Sequence, residues 1–182
     1  MHAGIGAVQV REKDLEGGAL LARVTRVLSL CGPRGPRVLV NDRADVACAA
    51  GAHGVHLPAA GMSVENARRV VGSTALVGRS VHRREELSLA RGADYVIFGP
   101  IFETPSKRRY GEPQGLARLA AVARAAEVPV IAIGGITVER VGAVLAHGAG
   151  GIAVMGAILD ADDPARMVEA LARAIRRARR LE

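Results

Sequence analysis

Seven short runs rich in Val and Ile recur along the chain, at residues 7–10, 38–40, 54–57, 76–81, 95–99, 128–134 and 152–155. Runs of this kind suit strands buried on both faces. Helical segments stand between them. Residues 15–30 carry Leu20, Val24, Val27 and Leu28 on one stripe, Ser63 opens 64–71, residues 83–90 follow Ser80, and 116–126 precede the sixth run. Thr137 with Glu139 starts a segment that ends at Gly148, and Asp163 with Pro164 opens the last helix as an N-cap and an N1 proline do. Such alternation predicts an α/β fold with parallel strands and right-handed crossovers, either a closed barrel or an open doubly wound sheet. No G-x-G-x-x-G follows the first run and the glycines fall after later ones, which argues against a dinucleotide site.

A conventional (β/α) barrel has eight strands in about 250 residues. Here seven runs share 182 residues with no linker, so residues 1–182 read as a single domain. The expected fold is a TIM (β/α) barrel lacking the first strand and most of the first helix, with residues 1–6 read as the end of a helix entering the first run. Aromatics are 2% of the chain, so Val, Ile, Leu and Ala must supply the core.

Of the net charge of +7, nearly half the excess sits in one place, Arg173, Arg176, Arg177, Arg179 and Arg180, the solvated face of a terminal helix. With so few aromatics to stack on bases, nucleic acid is not an expected partner. No apolar run reaches the roughly 20 residues of a membrane span, so no membrane partner is expected either. Cys31 and Cys48 have no metal-knuckle spacing and no signal-peptide pattern opens the chain, which fits a cytoplasmic setting. A homodimer is compatible with the chain but nothing in the sequence specifies it.

Charge is costly at the end of a buried strand unless it is paired or functional. Gln9, Arg11, Glu12 and Lys13 crowd the end of the first run. They read either as a polar loop or as an anion cradle, with Arg11 and Lys13 on phosphate and Glu12 paired to one of them. Asn41 and Asp42 end the second run, where Asp42 could cap the next helix or supply an oxygen to Mg²⁺. Ser80 can donate to an anion at a helix start, and His82 reads as the beginning of that helix. The irregular stretch 102–114 carries Thr104, Ser106, Lys107, Arg108 and Arg109, a length and basicity typical of a binding loop or lid. Gly134, Gly135 and Gly156 end the last two runs, where barrels often hold phosphate on backbone N–H groups; the plainer reading is tight turns.

Together these fragments resemble the family of thiamine phosphate synthases and TenI-like thiazole tautomerases. The resemblance rests on Gln9-Val10-Arg11-Glu12-Lys13, Asn41-Asp42-Arg43, Gly54-Val55-His56-Leu57, Gly78-Arg79-Ser80-Val81-His82, Gly99-Pro100-Ile101-Phe102, Thr104-Pro105-Ser106-Lys107, Ile133-Gly134-Gly135-Ile136 and Ala153-Val154-Met155. It implies an enzyme that condenses hydroxymethylpyrimidine diphosphate with thiazole phosphate, giving thiamine phosphate and pyrophosphate. Carried over residue by residue, Gln9, Arg11, Lys13, Asn41, Ser80 and Lys107 would hold the diphosphate, with Glu12 beside them, and Asp42 would bind Mg²⁺. Thr104, Ser106, Gly134, Gly135, Met155 and Gly156 would seat the thiazole phosphate. Lys107, Arg11 and Ser80 would act on the departing pyrophosphate, whose growing charge needs stabilising.

Two positions depart from the family pattern. Gly61 falls about where the synthases carry a second acidic metal ligand, and Pro100 stands where the tautomerases place a histidine that serves as acid and base. A tautomerase would need His82 or Glu103 in that role. Retention of both the Gln-x-Arg-Glu-Lys and Asn-Asp motifs favours the synthase. The runner-up is a thiazole tautomerase, followed by a non-catalytic regulator that keeps the phosphate pocket.

Overall fold

The computed structural model describes residues 5–104 and 112–180. Seven strands form one parallel sheet in chain order: β1 (Ala7–Val10), β2 (Arg37–Asn41), β3 (Gly54–Leu57), β4 (Leu76–Val81), β5 (Tyr95–Phe98), β6 (Val130–Ile133) and β7 (Gly151–Ala153). Each strand pairs with its successor, as in a barrel and unlike a doubly wound sheet, in which the order reverses. The sheet ends at β1 and β7, which gives the incomplete (β/α) barrel expected from the seven runs. Of residues 1–6, only Ile5 and Gly6 are described, and neither is helical.

Helices follow the strands: α1 (Gly17–Cys31), α2 (Ala44–Ala49), α3 (Val64–Val71), α4 (Gly115–Ala125), α5 (Val141–Ala146), α6 (Gly156–Leu159) and α7 (Pro164–Arg179). Leu20 and Val24 of the predicted stripe are the buried face of α1. Two caps are as expected: the Ser63 hydroxyl accepts from the Asn66 N–H at 3.1 Å, and the Asp163 carboxylate accepts from the Arg166 N–H at 3.0 Å. Elsewhere the helical segments differ. Residues 84–90 form a 3₁₀ helix, and the segment predicted from Thr137 divides into a 3₁₀ turn (Val138–Arg140) and α5. α6 is an extra short helix without an apolar stripe to announce it.

Register separates the two faces of the sheet. Val10, Val38, Val40, Val55, Val77, Val96 and Val130 alternate onto the face covered by helices and belong to the main core, with Phe98 the largest fully buried side chain. The opposite, inner face carries Gln9 against Leu39, Asn41 against His56, His56 against Gly78 and Gly78 against Tyr95. It continues with Ser80 against Ile97, then Ile131 and Gly151. The barrel interior thus carries polar side chains on each of β1 to β5, interspersed with Leu39 and Ile97, and is apolar on β6. No helix among the described residues is long and apolar enough to cross a membrane. The Arg-rich end of α7 is not wholly solvated, since Arg179 donates to the Gly150 carbonyl at 2.8 Å, just before β7.

Candidate active site

Those polar residues singled out in the sequence that are described lie towards the carboxyl ends of their strands. Gln9 lies in β1 on the inner face and is exposed, and Arg11 and Lys13 follow at the strand's end, also exposed. Glu12 does not pair with either of them: its carboxylate meets Arg23 of α1 at 3.1 Å. Helix α1 returns past the strand end with Arg23 in reach, so the contact ties loop to helix and leaves the cations without this partner.

Asn41 is the last residue of β2, and its carbonyl accepts from the Arg43 N–H at 2.8 Å, closing a tight turn around Asp42. Asp42 sits at φ 65°, the one non-glycine among the described residues with positive φ. Asp tolerates this region better than most residues, and such a conformation persists only where the surroundings hold it. Here the Asp42 N–H donates to the His56 carbonyl at 2.9 Å, extending the β2–β3 ladder through the turn. Asp42 does not cap the next helix. Arg43 occupies the N-cap of α2 and makes no capping bond, its guanidinium being held by Asp45.

Gly61 lies directly beside this carboxylate. A Cβ on Gly61 would stand 2.9 Å from Asp42 Oδ1 and 2.8 Å from Pro58 Cδ. The loop is pinned there by Arg79, 5% exposed, whose guanidinium donates to the Ala59 carbonyl at 2.9 Å and to the Met62 carbonyl. Burial lowers the pKa of Arg79, opposed by the carboxylates of Glu86 and Asp42. Among the described residues no three His, Cys, Asp or Glu side chains cluster as a metal site. Asp42 is a hard oxygen donor with a glycine-sized space at its side, which fits Mg²⁺ only in its common mode of one or two carboxylates completed by water and substrate phosphate.

Ser80 does not stand at a helix start. It lies within β4, on the inner face, and its Oγ is 2.8 Å from His56 Nε2. His56 Nδ1 is in turn 3.1 Å from the Tyr95 hydroxyl, with the two rings stacked at 5.7 Å. Gly78 lies between His56 and Tyr95 in the register, and a Cβ there would come within 2.0 Å of the Tyr95 ring. His82, expected to begin the helix, precedes the 3₁₀ segment instead; its Nδ1 donates to the Gly99 carbonyl at 2.8 Å, strapping the ends of β4 and β5 together.

Beyond β5 the chain turns through a cis Gly99–Pro100 bond. Ser106 and Lys107 of the basic loop lie outside the described residues, while its base is closed by the Gln114 N–H on the Pro100 carbonyl at 2.7 Å and the Gly115 N–H on the Ile101 carbonyl at 3.0 Å. Thr104 stands at the loop's start, half-buried. Gly134 and Gly135 have φ 100° and 62°, and a Cβ on either would meet Pro100 or Phe102 within 2.8 Å. These glycines are therefore needed for packing as well as for the turn. Arg140 holds the same corner, lying 4.5 Å over the Phe102 ring and donating to the Gly135 carbonyl at 2.7 Å. Met155, 51% exposed, and Gly156 open α6 after β7.

Sequence reasoning missed Arg79, His56 and Tyr95 as parts of the site. A glycine inside a strand, such as Gly78, signals close approach by another group and could have pointed to Tyr95.

A parallel (β/α) sheet with polar residues at its carboxyl rim defines a barrel-type protein whose ligand site lies at the strand ends. The thiamine monophosphate synthase family model matches residues 1–158, and the chain belongs to that family. It is 50% identical over 163 residues to a thiamine-phosphate synthase of Anaeromyxobacter dehalogenans, an alignment covering 88% of this chain and 73% of that one. A thiamine-phosphate synthase of Methanosarcina barkeri is 38% identical over 182 residues, covering 99% and 82%. The solved thiamine phosphate pyrophosphorylase from Pyrococcus furiosus superposes with a TM-score of 0.87 at 31% identity, covering 97% of this chain and 86% of that one.

Proposed function

We propose that this protein is a thiamine phosphate synthase, a transferase of thiamine biosynthesis acting on phosphorylated small molecules. The observation that carries the reading is the Asp42 turn. A carboxylate held at positive φ directly after Asn41, at the carboxyl end of β2, offers the oxygen donor through which a divalent ion can be shared with a substrate diphosphate. Gln9, Arg11, Lys13, Asn41 and Ser80 take the diphosphate of hydroxymethylpyrimidine diphosphate, joined by Lys107 of the basic loop. Thr104, Ser106, Gly134, Gly135, Met155 and Gly156 take the thiazole phosphate. The carbon–oxygen bond to diphosphate breaks, both electrons leave with pyrophosphate, and the thiazole nitrogen supplies the pair for the new carbon–nitrogen bond. No general base is required. Arg11, Ser80 and Lys107 stabilise the charge that grows on the leaving group. When bound, Mg²⁺ contributes further neutralisation of that charge. The free thiols Cys31 and Cys48 suit a reducing cytoplasm.

The test is turnover of the two substrates with and without Mg²⁺, followed by pyrophosphate release. Asp42→Asn keeps a residue that tolerates the turn and removes the charge. We expect metal-dependent product and a loss of about 100-fold or more in the variant. One observation, the glycine at position 61 beside a lone carboxylate, favours a metal-free thiazole tautomerase as second reading. Isomerisation of a thiazole carboxylate phosphate without the pyrimidine substrate would establish it. Pyrophosphate binding with no turnover of either kind would point to a regulator.

A further inference from the structure

The inner face of β3, β4 and β5 carries a chain of three polar side chains, half-buried Tyr95, buried His56 and half-buried Ser80, joined end to end at 3.1 Å and 2.8 Å. His56 is 3% exposed and Gly78 leaves the room through which the Tyr95 ring reaches it across β4. A neutral imidazole has one donor and one acceptor nitrogen, so the direction of one bond sets the direction of the other. Among the described residues the Tyr95 phenol has a single hydrogen-bond partner, His56 Nδ1. A half-buried phenol that keeps its proton has Nδ1 as its acceptor among the described residues, and donates there. The proton of His56 is then on Nε2, which donates to Ser80 Oγ. A hydroxyl has one hydrogen to give, and one held as an acceptor by its neighbour keeps that hydrogen for another group. The reverse direction would spend the Ser80 hydrogen on His56 and leave the phenol without an acceptor among the described residues.

We propose that His56 and Tyr95 are positioning residues that fix Ser80 as a hydrogen-bond donor to an anionic oxygen of the diphosphate at the barrel mouth. This deepens the synthase reading and rests on it for the identity of the anion. Diphosphate oxygens only accept, so a hydroxyl pre-set to donate binds them without reorientation, and the preference grows as the leaving group gains charge.

Two measurements test the relay. In protein labelled with ¹⁵N at its histidine rings, nuclear magnetic resonance is expected to find the His56 proton on Nε2; a proton on Nδ1 overturns the proposal. Binding of inorganic pyrophosphate with Mg²⁺, measured by calorimetry, forms a double-mutant cycle. We expect His56→Phe and Ser80→Ala each to weaken it by about 10- to 100-fold, and the double variant to lose no more than Ser80→Ala alone. His56→Gln, which returns an N–H near the Nε2 position, is expected to recover most of the loss, which a merely structural role would not give. Additive losses in the cycle, or no recovery in a folded Gln variant, overturn the relay. If His56→Phe fails to fold, the Gln variant and the tautomer carry the test. Absence of thiamine phosphate from the unmodified protein would defeat the synthase reading but not these outcomes.

Discussion

Gly78→Ala is the substitution from which the inner-face packing yields the sharpest expectation. An alanine Cβ would lie 2.0 Å from Tyr95 Cζ and 2.3 Å from its hydroxyl oxygen, and the three nearest atoms all belong to Tyr95. No Cβ tolerates such distances, so the ring must leave its place over β4. Overpacking of this kind costs roughly 1–3 kcal/mol. For a domain of this size each kcal/mol lowers Tm by about 2–4 °C. The displaced ring also gives up its bond to His56. The assay is urea or thermal unfolding of four proteins: the parent, Gly78→Ala, Tyr95→Ala and the double variant. Because the clash is with Tyr95, the alanine at 78 is expected to cost less than about 0.5 kcal/mol once residue 95 is small, within the additivity error of such cycles. An equal loss in both backgrounds would refute the reasoning and move the requirement for glycine from Tyr95 to the backbone of β4.

Two further expectations concern charge. Burial holds His56 at about 4 against an ordinary 6.5, so below pH 6.5 the unfolded chain takes up a proton that the folded one refuses. Stability is expected to fall between pH 6.5 and 4 by on the order of 3 kcal/mol from this group, and His56→Gln should remove that part of the slope. Parallel pH profiles for the two proteins would sink the assignment. Gly61 has no positive φ, so its backbone suits an aspartate once Pro58 and the Asp42 carboxylate give way to the new Cβ, and Gly61→Asp would then set a second carboxylate against Asp42. That variant is expected to melt lower than the parent in chelator and to regain more on adding Mg²⁺. A tenfold gain in affinity under saturating ion corresponds to about 1.4 kcal/mol, or roughly 3–6 °C. An unchanged response to Mg²⁺ would remove the ion from the Asp42 turn.

Sequence alone determined the strands and their order, because a strand buried on both faces must be apolar along its length, and Val38, Val55, Val77 and Val96 announce that locally. It also determined the caps at Ser63 and Asp163, which depend on bonds three residues away. The family was legible for the same reason, and so was the placing of Gln9, Arg11, Asn41, Asp42 and Ser80 in or just after the carboxyl-terminal part of a strand, since each lies within a short motif. What the sequence could not supply were partners distant in the chain. Glu12 reaches Arg23 rather than its neighbours, and Ser80 faces His56 instead of opening a helix. Arg79 secures the loop beside Asp42, 37 residues earlier in the chain. Those contacts exist only once parallel register sets Asn41 against His56, His56 against Gly78, and Gly78 against Tyr95. Register is a property of neighbouring strands, and a shift of one residue would turn every one of these side chains to the other face.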